Sequence, residues 1–213
     1  MIIAIDGPAG SGKSTVAKNL SEKLDFTYLS SGKIYRIIAY HLLKENIDTD
    51  NVEKIKNEID NIVITYNKEL YLNNAAVESK INTEVISEQT SKISRHSFIR
   101  KYVDKIINSI SQDRDIIMDG RDIGTKVFPN ADYKFYLIAS VEVRAKRRFK
   151  ELNEKGIDAV YDEVYNAIKK RDYNDSNREI APLKKASDAV EIDSSNKSVE
   201  EVVDEMLKII NSD

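Results

Sequence analysis

The sequence predicts an α/β fold in which a parallel sheet carries helices on both faces. Short apolar runs such as Ile2–Ile5 and Tyr133–Ile138 are typical of strands buried on both sides. Segments with apolar residues at helical spacing alternate with these runs, and this alternation favours parallel pairing of the strands. A glycine-rich loop follows the first run, at the sheet edge where α/β proteins bind their ligands.

The alternation of strands and helices is interrupted once. Residues 62–77 predict a hairpin with a third short strand, which we interpret as a small β insert. Ser198–Glu201 forms a capping box that predicts the start of a C-terminal helix. The buried strands are predicted at residues 2–5, 26–29, 115–118, 133–138 and 189–192. The other helices are predicted at about 16–24, 33–45, 51–60, 81–93, 97–111, 141–155 and 158–175.

Composition narrows the classes of protein that the chain can represent. The 213 residues are 41% hydrophobic and 32% charged, and the net charge of −3 argues against long nucleic acid as a partner. The sequence has no cysteine, which excludes disulfides and thiolate metal sites. No signal-peptide pattern or apolar run of roughly 20 residues is present, so we expect no membrane segment and a cytoplasmic location. We also expect a monomer.

Residues 7–14 match the phosphate-loop pattern G-x-x-x-x-G-K-[ST] at every fixed position. Glycines let successive backbone N–H groups turn toward a phosphate, Lys13 reaches the outer phosphates, and the Ser14 hydroxyl suits Mg²⁺. A chance glycine-rich turn is disfavoured by the strand before the loop and the helix after it. The predicted ATP-binding residues are Gly7, Pro8, Ala9, Gly10, Ser11, Gly12, Lys13, Ser14 and Thr15.

The loop predicts phosphate binding but does not decide the reaction. A GTPase usually carries Asn-Lys-x-Asp, and the nearest string, residues 67–70, lacks the Asp. A small-molecule kinase is therefore favoured. An ATP-binding regulatory module is a further alternative, although arginines suited to a second phosphate argue against it.

Polar clusters further along the chain suit a second phosphorylated ligand. Arg36 follows the second strand, and residues 119–122 combine two carboxylates and an arginine around a glycine. Arg171, Asp175 and Arg178 are spaced i, i+4 and i+7, which predicts one helix face. Each pattern also has a plain alternative, namely a solvated arginine, a polar turn or a salt-bridged surface. The same holds for the basic run Arg144, Lys146, Arg147 and Arg148.

Five strings, in order and spacing, together resemble the bacterial cytidylate kinase family, and the likeness covers essentially the whole chain. The strings are Ile5–Ser14, Ser31–Arg36, Asp119–Thr125, Val127–Pro129 and Arg171–Leu183. The phosphate loop is common to many families, whereas Asp119–Thr125 and Arg171–Leu183 are much more specific.

The resemblance implies a three-layer P-loop nucleoside monophosphate kinase fold with a five-stranded parallel sheet, a small β insert and a helical lid. We expect a single P-loop kinase domain over residues 1–213, with a CMP-binding insert at about 61–80 and a lid at about 148–160. The implied reaction is phosphorylation of CMP and dCMP by ATP through direct in-line transfer, with Mg²⁺. Another small P-loop kinase, acting on UMP, AMP or a metabolite, is the main alternative.

The resemblance also implies roles for residues at matching positions. The CMP-binding residues would be Ser31, Tyr35, Arg36, Ser91, Arg100, Arg121, Asp122, Arg171, Asp175 and Arg178. The catalytic residues would be Lys13, Arg121, Arg147 and Arg178, and the metal-binding residues Ser14 and Asp119. Asp122 would accept a hydrogen bond from the cytosine amine and would repel the carbonyl of uracil. Ser30 departs from the family, which usually has Asp there, so that Asp119 would serve the metal alone.

Overall fold

The computed structural model describes residues 1–212 and has the predicted α/β architecture. The strands are β1 (Ile2–Asp6), β2 (Thr27–Ser30), β3 (Ile64–Asn67), β4 (Glu69–Leu72), β5 (Ala75–Ala76), β6 (Ile116–Gly120), β7 (Tyr133–Ile138) and β8 (Val190–Asp193). The helices are α1 (Lys13–Leu24), α2 (Ser31–Lys44), α3 (Val52–Glu58), α4 (Glu84–Ile93), α5 (Ser97–Ser111), α6 (Val141–Glu154), α7 (Tyr161–Asn177) and α8 (Val199–Ile210).

The predicted five-stranded parallel sheet is confirmed within residues 1–212, with the strand order β2-β6-β1-β7-β8. The central strand β1 pairs with β6 from Ile2 opposite Ile116 to Asp6 opposite Gly120, and with β7 on its other side. Because parallel strands end at the same edge, this register brings Asp6, Asp119 and Gly120 to the edge where the phosphate loop begins.

The described chain divides into two compact units. The first comprises Met1–Leu29 and the chain from Asp115 onward, and the second comprises Ser30–Arg114. Among residues 1–212, no helix has both the length and the apolar character that a membrane crossing requires.

The core of the first unit lies between the sheet and the pair of helices α1 and α8. The strands contribute alternate apolar side chains to this core, and each helix contributes one apolar stripe. The predicted capping box is confirmed, because the Ser198 hydroxyl accepts from the Glu201 N–H while the Glu201 carboxylate accepts from the Ser198 N–H. The main buried members are Ile3, Ile5, Val16, Leu20, Ile117, Phe135, Leu137, Val203 and Met206.

The second unit contains α2 to α5 and the predicted β insert, which forms an antiparallel sheet in the order β3-β4-β5. Asn73 and Asn74 both have positive φ, at 48° and 65°, and connect β4 to β5. Two left-handed residues in a two-residue connection give the turn whose twist matches the flanking strands. Asparagine tolerates this backbone conformation better than most residues do.

The expectation that Arg171, Asp175 and Arg178 share one helix face is wrong for Arg178. Helix α7 ends at Asn177, and Arg178 has extended backbone angles of φ −67° and ψ 142°. The chain then folds back, so that the Leu183 N–H donates to the Asp175 carbonyl at 2.7 Å. This hydrogen bond satisfies a carbonyl of the last helical turn. Arg178 is therefore the first residue after the helix and does not lie on the helix face of Arg171 and Asp175.

Candidate active site

The phosphate loop joins β1 to α1 and requires glycine where it begins. Gly7 has φ 148°, and a Cβ there would lie 2.1 Å from the Leu137 carbonyl oxygen of β7. Gly12 has φ 91° and immediately precedes α1, so that the unsatisfied N–H groups of the first helical turn face the loop. The loop therefore has the backbone form that binds phosphate.

Lys13 is buried at the start of α1, and its Nζ donates to the Pro8 carbonyl at 2.5 Å and to Ser11 Oγ at 3.2 Å. Burial and the nearby Arg121 guanidinium lower the pKa of Lys13 well below its usual value, against the opposing effect of Asp119. An incoming phosphate would contribute the negative charge that favours the ammonium form. Among the other ATP-loop residues, Ser11 is buried, whereas Ser14 and Thr15 are exposed on the first turn of α1.

Ser14 and Asp119, which the resemblance assigns to a metal, lie together. Ser14 Oγ donates to Asp119 Oδ2 at 3.0 Å, and the Tyr28 hydroxyl donates to Asp119 Oδ1 at 2.8 Å. A hydroxyl and a carboxylate are oxygen ligands of the kind that Mg²⁺ takes when substrate phosphates complete its coordination. The residues present therefore fit this metal. Within the described chain, no three His, Cys, Asp or Glu side chains cluster to hold a metal without substrate.

Four of the predicted acceptor residues form two ion pairs in the first unit. Arg121 Nε donates to Asp175 Oδ2 at 2.9 Å, and Arg178 Nη2 donates to Asp122 Oδ1 at 3.1 Å. Burial opposes the ionisation of Asp175, but Arg121 and Arg171 prevail and hold its pKa below the usual value. Residues from the end of β6 and from α7 are thus brought together as predicted, although Arg178 belongs to the connection after the helix.

Arg144 and Arg147, from the basic run on α6, are both held by hydrogen bonds from their guanidinium groups to backbone carbonyls. Arg144 is buried and donates to the Ala139 carbonyl at 2.8 Å and the Ala9 carbonyl at 3.0 Å, while Asp172 lies 2.7 Å away as its ion-pair partner. Arg147 donates to the Ser194 carbonyl at 2.6 Å, and Arg147 Nη1 would lie 3.9 Å from a Cβ built on Gly12. The arginine predicted to act on the transferring phosphate therefore lies beside the phosphate loop.

The sequence did not identify Asp6 as a functional residue. Its carboxylate accepts from the backbone N–H groups of Ile123 and Gly124, at 2.9 and 2.8 Å. Burial, reinforced by the negative charge of Asp122, raises the pKa of Asp6 to about 6. The position of Asp6 between a buried strand and a phosphate loop was the available signal, but its partners are more than a hundred positions away.

The second unit holds five further predicted acceptor residues, whereas Arg171 lies on α7 in the first unit. Arg36 Nη2 donates to Ser87 Oγ at 2.7 Å and its Nη1 donates to the Ile81 carbonyl at 2.9 Å. Arg100 Nη1 donates to the Tyr35 hydroxyl at 3.1 Å, and its guanidinium also lies 5.8 Å from the Tyr35 ring centroid. Within this unit, the predicted residues lie on three helices: Ser31, Tyr35 and Arg36 on α2, Ser91 on α4 and Arg100 on α5.

Known proteins resemble this chain over nearly its whole length. The family model described as cytidylate kinase matches residues 3–212. The chain belongs to the cytidylate kinase family. A cytidylate kinase of Fusobacterium nucleatum is 44% identical over 211 residues, which cover 99% of this chain and 97% of that protein. A cytidylate kinase of Thermosipho melanesiensis is 45% identical over 209 residues, which cover 98% and 95%. The resemblance inferred from the sequence is thereby confirmed.

Among solved structures, a shikimate kinase from Acinetobacter baumannii in complex with shikimate superposes with a TM-score of 0.50. The match covers 99% of this chain and 93% of that one, at 15% sequence identity. This likeness establishes a shared fold. The membership in the cytidylate kinase family comes from the family model and the sequence relatives.

The pKa of Asp6 predicts a dependence of stability on pH. The native pKa of about 6 exceeds the ordinary 3.8, so the native state retains a proton that the unfolded state has released. The stabilising contribution of Asp6 is therefore fully present only below the unfolded pKa of 3.8 and is lost as the pH rises from there through about 6. Relative to Asp6→Asn, the free energy of unfolding of the native protein should fall by about 2 kcal/mol between pH 4 and pH 7. Urea titrations of both proteins measure this difference, and a constant difference would contradict the assignment.

Proposed function

We propose that this protein transfers the γ-phosphoryl group of ATP to CMP, and to dCMP, giving ADP and the corresponding diphosphate. The observation that carries the proposal is the presence, within one unit, of a complete phosphate loop and the two arginine–carboxylate pairs Arg121–Asp175 and Arg178–Asp122. Membership in a family of cytidylate kinases supports CMP as the acceptor.

The donor half of the site would bind the phosphates of ATP in residues 7–15. The backbone N–H groups at the start of α1 would donate to the phosphates, and Lys13 would exchange its contacts with Pro8 and Ser11 for the outer phosphates. Arg147, anchored through Ser194 beside the loop, would add positive charge near the transferring group.

Ser14 and Asp119 would hold Mg²⁺, with Tyr28 orienting the carboxylate through its hydrogen bond to Asp119. When bound, this cation would neutralise negative charge on the donor phosphates. Ser30 stands where the family usually has an aspartate, so Asp119 would be the carboxylate that serves the metal.

The acceptor half would bind CMP through separate groups for phosphate, sugar and base. Arg36, Arg121 and Arg178 would hold the phosphate, and Arg171 and Asp175 the ribose. Each guanidinium has five N–H donors, so an arginine paired with one carboxylate oxygen retains donors for a phosphate. The base would be selected by Asp122, which accepts from the cytosine amine, together with Ser31, Tyr35, Ser91 and Arg100.

The chemistry that these residues support is positioning and charge neutralisation. A CMP phosphate oxygen is already anionic, so it can attack the γ-phosphorus of ATP without a strong general base. Lys13, Arg121, Arg147 and Arg178 would stabilise the negative charge that is shared between the two substrates as transfer proceeds. Closure of a lid at about residues 148–160 would exclude water, which would otherwise hydrolyse ATP.

We also place the enzyme in the cytoplasm, where both nucleotides are available, and expect it to act as a monomer with a single catalytic domain. The CMP-binding insert would correspond to about residues 61–80.

A panel of acceptors tests the proposed reaction against its alternatives. CMP and dCMP should stimulate ADP release from ATP far more than UMP, AMP or shikimate, because the base site carries a carboxylate acceptor. A coupled assay of ADP release with each acceptor and Mg²⁺ gives the comparison. Preference for another acceptor would indicate a different kinase, and ATP binding without acceptor-stimulated release would indicate a regulatory module.

Lys13→Ala should lower kcat by a factor of at least about 100, because its ammonium is expected to neutralise the developing phosphate charge. Lys18→Ala, an exposed position on the same helix, is the matched control and should leave kcat within about twofold of the native value. Steady-state rates at saturating ATP and CMP give kcat for the native protein and both variants. A Lys13→Ala enzyme with near-native turnover would show that the loop does not act as proposed.

A further inference from the structure

The chain after β6, which carries the proposed CMP-binding residues Arg121 and Asp122, continues into a single wide helical turn, Ile123–Val127. We call this turn the acceptor turn, after the phosphate-accepting substrate CMP. The Asp122 carbonyl accepts from the N–H groups of Lys126 and Val127, at 2.9 and 3.2 Å, and the Ile123 carbonyl accepts from the Phe128 N–H at 2.7 Å. The carbonyls at the start of the turn are thus satisfied within it. The N–H groups at the same end point away from the turn and need acceptors elsewhere.

Asp6 supplies these acceptors with both of its carboxylate oxygens. Oδ1 accepts from the Ile123 N–H at 2.9 Å, and Oδ2 accepts from the Gly124 N–H at 2.8 Å. Asp6 is 96% buried as a residue (4% exposed), and its backbone lies opposite Gly120 in the β1–β6 register. The two bonds therefore extend the pairing of the two strands into the acceptor turn.

An aspartate that immediately precedes a helical turn usually caps that turn with its own side chain, by accepting from the second or third N–H group. Asp122 occupies this position, but its carboxylate does not cap the turn. It lies instead against Arg178, whose Nη2 donates to Asp122 Oδ1 at 3.1 Å. The N–H groups of the turn are satisfied instead by Asp6, whose bonds to Ile123 and Gly124 span 117 and 118 positions of the chain.

We propose that Asp6 is a positioning residue for base selection: by satisfying the N–H groups of the acceptor turn, it keeps the Asp122 carboxylate turned toward Arg178 and the acceptor base. This inference rests on the proposed function, in which Asp122 reads the cytosine amine. Without Asp6, the N–H groups of the turn lack an acceptor in a buried setting, and the Asp122 carboxylate is the nearest substitute in sequence. Asp122 would then turn back onto its own backbone, and discrimination between CMP and UMP would fall.

Asp6 also immediately precedes Gly7, so a general effect on the phosphate loop is the competing explanation. The two explanations differ in which substrate is affected. Damage to the loop would raise KM for ATP, whereas the proposed role changes the acceptor side and requires Asp122 to be present.

The experiment compares kcat/KM for CMP and for UMP in the native enzyme, Asp6→Asn, Asp122→Asn and the double variant. The asparagine at position 6 keeps the shape of the side chain but places an N–H₂ group against one of the two backbone donors. We expect Asp122→Asn to reduce the CMP/UMP ratio by about tenfold or more, and Asp6→Asn to reduce it by a similar factor. Adding Asp6→Asn to Asp122→Asn should not reduce the ratio further. KM for ATP should stay within about twofold of the native value.

Asp188→Asn is the matched control. Asp188 is an exposed aspartate that pairs with Lys134 at 2.6 Å, and Lys134 also donates to the carbonyl of Pro129 just beyond the turn. This variant removes a carboxylate near the same segment without removing an acceptor of its N–H groups. The CMP/UMP ratio should therefore remain at the native value.

The outcomes separate the inference from the proposed function. If Asp122→Asn loses discrimination and Asp6→Asn keeps it, the positioning role is wrong and the proposed function stands. Multiplicative effects in the double variant, or a rise in KM for ATP alone, would also overturn the positioning role. An unchanged ratio in Asp122→Asn would refute the base-reading role itself. Asp6→Ser serves as a second variant, and loss of folding in both would contradict a role specific to Asp122.

Discussion

The pairing of partly or fully buried positive and negative side chains is the constraint on which the candidate site depends. Arg121 pairs with Asp175, Arg178 with Asp122, and Arg144 with Asp172. Removing a charge from water without a counter-charge is costly, so these carboxylates stabilise the arginines in their partly or fully buried positions before any phosphate binds. In the proposed function the same pairs would prepare the site for substrate, because guanidinium groups that are already oriented lose less freedom when they bind a phosphate.

These pairs also connect segments that the sheet topology alone would leave independent. Arg144 donates to the phosphate loop at Ala9 and pairs with Asp172 on α7, the helix that carries Arg171 and Asp175. The end of β6 is linked to the connection after α7 through Asp122 and Arg178, and to the end of β1 through Asp6. The phosphate loop and the proposed CMP-binding residues of the first unit are therefore held in one framework, as the proposed transfer between two bound phosphates would require.

Features carried by contiguous residues were predictable from the sequence. The phosphate loop, the strand predicted at residues 115–118 and the C-terminal capping box each depend on local patterns, and the structure confirms them, with the strand at Ile116–Gly120. Arg178 was misplaced because helical spacing continued past Asn177, whereas the backbone turns away at the return to Leu183. Asp6 was not identified, and Arg144 was named only as one member of a basic run, because their contacts are with partners 117 and 135 positions away, of which the local sequence carries no signal.

The central claim is that the loop at residues 7–14 and the arginine–carboxylate pairs form a single site for two phosphorylated nucleotides. The most direct measurement is the affinity of a bisubstrate analogue, in which adenosine and cytidine are joined by a chain of phosphates, determined by isothermal titration calorimetry. Simultaneous occupation of both halves predicts one molecule per chain, bound at least about 100-fold more tightly than ATP or CMP alone. An analogue that binds no more tightly than ATP would contradict the claim.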